Sequence, residues 1–342
     1  MKGWTSGLLA SLVSFSAFGA IPPAGTPVAD HHMHIFSPES VRVLAIICKK
    51  FGPGACPEDF VPSTVEDATQ ALDSAGISKG VLLATGFYFG SPELSDQNLD
   101  VVRETRDENS YVVEQARKSC GRFVTFVGVD PLATGAVDEV AYWAGKPGVV
   151  GVKLHLWNSD VDFRDAAKVQ KLAAVFKAAG EGNLSLVVHF RNRTKDFGPK
   201  DVAIFLRDVY PLAKGVTVQI AHIGGGGAVD RRTLATLGAF GDAIARDPAG
   251  TQNLIFDLAE VPETSPTERA NPRSVAAMRG LMRKIGLKHF VLASDWQKGT
   301  DLKRYYAREK VVLALHADEW NALAANEAPY MHASTANVSC SH

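Results

Sequence analysis

The sequence has no excess of charge of either sign: 36 Lys and Arg stand against 37 Asp and Glu, a formal net charge of -1 over 342 residues. A chain with no basic field is not built for nucleic-acid binding as its main task. Cysteine is scarce. Only Cys48, Cys56, Cys120 and Cys340 are present, and none is in C-x-x-C spacing, which removes the zinc-knuckle reading. No G-x-G-x-x-G follows the first apolar strand-like run, so a dinucleotide fingerprint is missing. The glycines at 224–227 lack the Lys-Ser/Thr of a P-loop. They could still bring backbone N–H groups to an anion. Low-complexity linkers and short repeats are absent too, which argues for one domain. What is there, 46% apolar and 21% charged residues, suits a soluble globular protein.

The first twenty residues read as an export signal, leaving residues 21–342 as the mature domain. Lys2 is followed by a short apolar run from Leu8 to Phe18, then by Ala17, Gly19, Ala20 and Pro22-Pro23. Ser11, Ser14 and Ser16 interrupt the run, and it is too short to span a bilayer core of about 30 Å. No other segment is a membrane-span candidate, so no membrane contact is expected after signal removal, and the location is periplasmic or secreted. In an oxidising compartment an even number of cysteines suggests two disulfides. Of the three pairings, position in the chain favours Cys48–Cys56 and Cys120–Cys340. The first pair falls in the long segment between strand one and the helix near Val65. The second joins a helix end to the C-terminal tail on the opposite face.

Beyond the signal, strand-like runs alternate with helical ones. Strands are expected at 28–36, 79–85, 122–129, 149–156, 184–190, 216–223, 253–259 and 289–295. Several are near-continuous Val/Ile/Leu runs, as in parallel strands buried on both faces. Helices are expected at 65–74, 107–119, 133–143, 166–179, 201–212, 230–245, 272–285 and 318–326. Repeated β-α units over this length point to a (β/α)8 TIM barrel. A doubly wound open sheet is the runner-up.

In such a barrel the strand C-termini face the active site, and the metal-binding side chains cluster there. Strand one reads Asp30-His31-His32-Met33-His34, and alternation puts His32 and His34 on one face. Strand five ends at His189, strand six at His222 and strand eight at Asp295; strand four carries Lys153 and His155 two apart. Imidazoles with a carboxylate suit a divalent transition metal.

With these residues in place, the chain resembles the amidohydrolase superfamily, in its amidohydrolase-2 branch. The resemblance rests on Asp30-x-His32-x-His34 and on Ala71–Ile77 with Lys79–Leu82. It rests further on Gly151–His155, Ala221–Gly225, Ser294-Asp295-Trp296 and Asn326-Glu327-Ala328. It implies that His32, His34, His189 and Asp295 surround a metal, with zinc the leading candidate. It also implies that His222 polarises the substrate or transfers a proton. A single ion is the favoured count. Two ions, bridged by a carboxylated Lys153, is the alternative; otherwise Lys153 and His155 contact substrate.

A divalent ion with an open position acidifies bound water to a pKa of about 7. Asp295 can then take its proton while His222 stabilises developing charge. Hydrolysis of a lactone, ester or amide is the first reading. A metal-dependent decarboxylase or other lyase is the second, and a non-enzymatic binding protein is the third. The partner expected is a small-molecule substrate, with a homo-oligomer left open. Arg191 and Arg193 could grip a substrate carboxylate. Phe87, Tyr88, Phe89 and Trp157 could line an apolar pocket.

Overall fold

The computed structural model describes residues 25–52, 60–227, 229–261 and 271–332. Eight strands form one sheet in sequential order: β1 (Ala29–Met33), β2 (Lys79–Leu83), β3 (Phe123–Gly128), β4 (Val149–His155), β5 (Ser185–His189), β6 (Val218–Ile220), β7 (Leu254–Asp257) and β8 (Phe290–Val291). Every adjacent pair from β1–β2 to β7–β8 is parallel. The circle closes where the His31 amide donates to Leu292 O and the His34 amide to Trp296 O, at 3.2 and 2.8 Å. The fold is therefore the expected (β/α)8 barrel, and all eight strands fall inside their expected segments.

The helices are α1 (Pro38–Phe51), α2 (Val65–Ala75), α3 (Val101–Arg117), α4 (Ala136–Trp143), α5 (Ala166–Glu181), α6 (Pro199–Ile204), α7 (Arg231–Arg246), α8 (Pro272–Ile285), α9 (Leu302–Leu313) and α10 (Ala317–Ala324). Their apolar stripes pack on the outer sheet face, as Leu172, Val175, Phe176 and Ala179 of α5 do. A second, inner core fills the barrel, with Val81, Leu83, Phe126, Val187 and Val291 among its members.

Two helices were not foreseen. α1 occupies the segment read as a long connection. Ser37 caps it by accepting the Ser40 amide, Pro38 opens it, and Val43, Leu44 and Ile47 are buried. α9 is capped by Asp301, which accepts the Arg304 amide. The helix expected over 201–212 is shorter than read. It widens into a π turn at Phe205–Val209 and tightens into a 3-10 turn at Tyr210–Ala213. Pro211 lacks the N–H that a continuing α-helix would use.

No helix among the described residues is long and apolar enough to cross a membrane. The expected signal at residues 1–20 lies outside the described residues. So do Cys56 and Cys340, and with them both expected pairings, whereas Cys48 is in α1 and Cys120 follows α3.

Candidate active site and metal centre

The strand ends meet at a cavity of about 100 Å³ lined by His32, His34, Lys153, His155, His189, His222, Glu260 and Asp295, with Phe36, Phe87, Tyr88, Gly226 and Gln297 around them. Its tightest cluster is His32 Nε2, His34 Nε2 and Asp295 Oδ1. The two ring nitrogens are 3.2 Å apart, and each lies 3.1–3.2 Å from the carboxylate oxygen. Alternation along β1 thus brings the two histidines together as the sequence suggested.

The hydrogen-bond partners on the far side of each ring decide what this cluster is. His34 Nδ1 lies 2.7 Å from the Leu83 carbonyl and His222 Nδ1 lies 2.7 Å from the Ala259 carbonyl. A carbonyl can only accept, so both rings carry a proton on Nδ1, and Nε2 is the nitrogen each turns towards the cavity. His32 Nδ1 faces Asp257 Oδ2 at 3.1 Å with the same consequence. Burial, then the Lys153 ammonium, pushes the His32 pKa down to about 4, so that ring is neutral at pH 7. Two imidazole nitrogens and a carboxylate oxygen thus crowd one point, and buried Asp295 Oδ1 is left without a hydrogen-bond partner. Acceptors packed this way call for a cation, and the donor set of two imidazoles and one carboxylate fits a divalent metal. Lys153 Nζ stands 3.2 Å from His32 Nε2, and burial lowers its pKa to about 8 against the pull of Asp295 and Asp257, leaving it an ammonium at neutral pH.

Asp257 went unnoticed in the sequence. It is fully buried and accepts from His32 Nδ1, Gln219 Nε2 and the amides of His222 and Ala259, at 3.1, 2.7, 2.8 and 3.2 Å. Burial alone would raise its pKa, but the His32 ring and the His222 amide hold the carboxyl well below the usual range. It orients the His32 ring, as outer carboxylates do for metal-binding histidines. The sign available in the sequence was an acid closing an otherwise apolar strand, Leu254-Ile255-Phe256-Asp257.

Glu260 was also missed. With His222 and Asp295 it forms a second group whose ligand atoms lie within 4.8 Å of one another. Gly227 makes room for it: its φ is +88°, and a Cβ there would lie 2.9 Å from Glu260 Oε2. His222, Ile223, Glu260 and Asp295 all have positive φ, between 50° and 59°. Such conformations cost of order 1–3 kcal/mol each and gather where side chains must be aimed.

The remaining expected residues are distributed as follows. His189 lines the cavity, stacked on His155 with ring centroids 3.9 Å apart, and lies 5.0 Å from the His222 ring. It is not among the groups whose ligand atoms converge. Phe87 and Tyr88 border the cavity, whereas Phe89 packs with Val43, Ile47 and Leu94. Arg193 is engaged elsewhere: it forks onto Glu93 at 2.6 and 2.9 Å and also holds the carbonyls of Trp157 and Asn158. Arg191 pairs with Asp230 at 3.0 Å. Trp157 is 36% exposed and away from the cavity lining.

Comparisons with known proteins agree with this fold. The amidohydrolase family (Amidohydro_2) matches residues 29–297. No curated protein matches the chain. Among solved structures, 5-carboxyvanillate decarboxylase from Sphingomonas paucimobilis is similar over 91% of this chain and 98% of its own, at 13% identity and a TM-score of 0.59. A probable 2-pyrone-4,6-dicarboxylic acid hydrolase from Acinetobacter baumannii is similar over 86% and 95%, at 15% identity and a TM-score of 0.51. An amidohydrolase from Burkholderia multivorans with bound zinc is similar over 87% and 95%, at 14% identity and a TM-score of 0.56. The neighbours thus include both hydrolases and decarboxylases, and zinc or manganese is bound in some. With the family matched over residues 29–297, most of the chain, the protein belongs to the amidohydrolase-2 family of enzymes.

Proposed function

We propose that this protein is a metal-dependent hydrolase of a small lactone, ester or amide. The observation that carries the reading is the Asp295 carboxylate, one oxygen wedged between the Nε2 atoms of two histidines and the other turned towards His222 Nε2 at 3.9 Å. His32, His34 and Asp295 would hold the metal, with His189 at the cavity edge as the further ligand the family resemblance implies. One zinc or similar divalent ion is the favoured content. When bound, it supplies Lewis acidity and lowers the pKa of a coordinated water.

The chain's own residues divide the rest. Asp295 accepts the proton of the attacking water. The inward Nε2 of His222 suits it to pass that proton to the leaving oxygen or nitrogen. Lys153 balances negative charge beside His32. Atoms balance as one water added across the bond, giving an acid and an alcohol or amine. Loss of carbon dioxide from a carboxylic acid is the second reading, favoured by the decarboxylase that shares the barrel. Elemental analysis of protein purified without chelator, with a panel of lactones, esters, amides and aromatic acids, tests both. About one divalent ion per chain and chelator-sensitive hydrolysis are expected. A metal-free protein whose turnover ignores chelator overturns the proposal.

Export with cleavage near Ala20, and bridges Cys48–Cys56 and Cys120–Cys340, complete the reading. N-terminal sequencing of the mature protein and non-reducing peptide mapping test them. An intact N-terminus, four free thiols or a Cys48–Cys120 peptide contradicts them.

A further inference from the structure

The histidines around the cavity are not alike. His32, His34 and His222 each donate an Nδ1 proton to an acceptor behind the ring and turn Nε2 inward. His155 is reversed. Its Nδ1 lies 3.1 Å from the backbone nitrogen of Asn158, a group that can only donate. That ring nitrogen must be bare, so the proton is on Nε2, and an imidazolium is excluded while the bond holds. The ring cannot easily turn. It is clamped between His189, nearly parallel at 9°, and Phe87, whose centroid is 5.2 Å away. Asn158 is itself fixed, its side-chain amide donating to Phe87 O at 2.8 Å and its carbonyl held by Arg193. His155 borders the cavity, and its Nε2 has no hydrogen-bond partner among the described residues.

We propose that His155 contacts the substrate directly, its Nε2–H being the fixed donor that receives the carbonyl oxygen of the bond to be cleaved. The cavity is then two-sided. The inward ring nitrogens and the Asp295 carboxylate form the wall that suits a cation. The β4 wall offers a positioned N–H where negative charge would grow on the substrate oxygen. His222, whose Nδ1 proton is committed to the Ala259 carbonyl, keeps the proton-transfer role through its inward Nε2. The choice of a carbonyl oxygen rests on the hydrolase reading. The donor itself does not, because a carboxylate oxygen has the same acceptor chemistry.

The full chain labelled with 15N-histidine tests the donor without any turnover. Long-range 15N–1H correlation at neutral pH is expected to show the proton on Nε2 in His155 and on Nδ1 in His34 and His222, with His155→Gln assigning the signal. Acetate, used as the probe oxygen anion, is expected to shift the His155 Nε2–H resonance. A proton on Nδ1 of His155, or a resonance that acetate leaves unmoved, overturns the proposal. Kinetics add a second arm. His155→Asn keeps an acceptor near the ring's Nδ1 but loses the distal N–H, and kcat should fall by about 10²–10³ with KM little changed. His155→Gln, whose amide N–H extends towards the lost Nε2, should recover at least tenfold over Asn. Equal loss in both variants overturns the role. If no ester, lactone or amide is turned over, the hydrolase reading fails while the resonance and acetate results still decide the donor.

Discussion

Asp257→Asn asks whether the metal site depends on a proton held one residue away from it. In the native chain, Asp257 Oδ2 takes the His32 Nδ1 proton and the Gln219 amide, and Oδ1 takes two backbone N–H groups. The backbone donors cannot turn, so the asparagine oxygen must stay with them and its NH2 must face His32 and Gln219. Gln219 cannot flip to help, because its Oε1 already accepts from Tyr330. One donor there is left facing another donor, a cost of about 1–3 kcal/mol. His32 can respond by moving its proton to Nε2 and accepting from the new amide. That repairs one hydrogen bond but closes the nitrogen that faces the cluster. The expected result is a Tm lower by a few degrees and a metal affinity lower by about 10–100-fold. Chelator competition measures the affinity, calorimetry the Tm, and 15N spectra the His32 tautomer. A variant with lowered Tm but metal affinity within twofold of the parent, and His32 still protonated on Nδ1, would refute the reasoning.

Three further outcomes are expected. His222→Asn should fold normally, keep its metal content and lose most activity; loss of half the metal would point instead to a two-ion site. Asp130 is buried, which raises its pKa from 3.8 to about 7, so the folded state holds a proton that the unfolded state releases. Stability should therefore fall as pH rises from about 4 to 7, by at most about 4 kcal/mol. Asp130→Asn should gain Tm relative to the parent between pH 5 and pH 8, and parallel Tm curves would contradict this. Arg193→Lys should lower stability by roughly 1–2 kcal/mol, since an ammonium cannot reproduce the fork onto Glu93 together with two carbonyl contacts. A tenfold rise in KM with unchanged Tm would mean that Arg193 meets substrate instead.

Sequence alone determined the barrel and named most of the polar side chains that line its cavity, all but Glu260 and Gln297. Apolar runs bounded by helix caps are local patterns, and burial on both faces needs nothing distant to be read, so all eight strands were legible. The pairing of His32 with His34 followed from the two-residue period of a strand. Even α1 carried its signature in Ser37-Pro38 and in the spacing of Val43, Leu44 and Ile47, although it went unread. Tertiary structure decided what each group does. Asp257 and Glu260 have no motif of their own; they become functional candidates because the closed circle puts β7 between β6 and β8. The engagement of Arg193 depends on Glu93, a hundred positions away. What each ring nitrogen behind the cavity does, donate or accept, depends on Leu83, Ala259, Asp257 and the Asn158 amide. A ring's chemistry is set by the group behind it, and in three of these four rings that partner is remote in sequence.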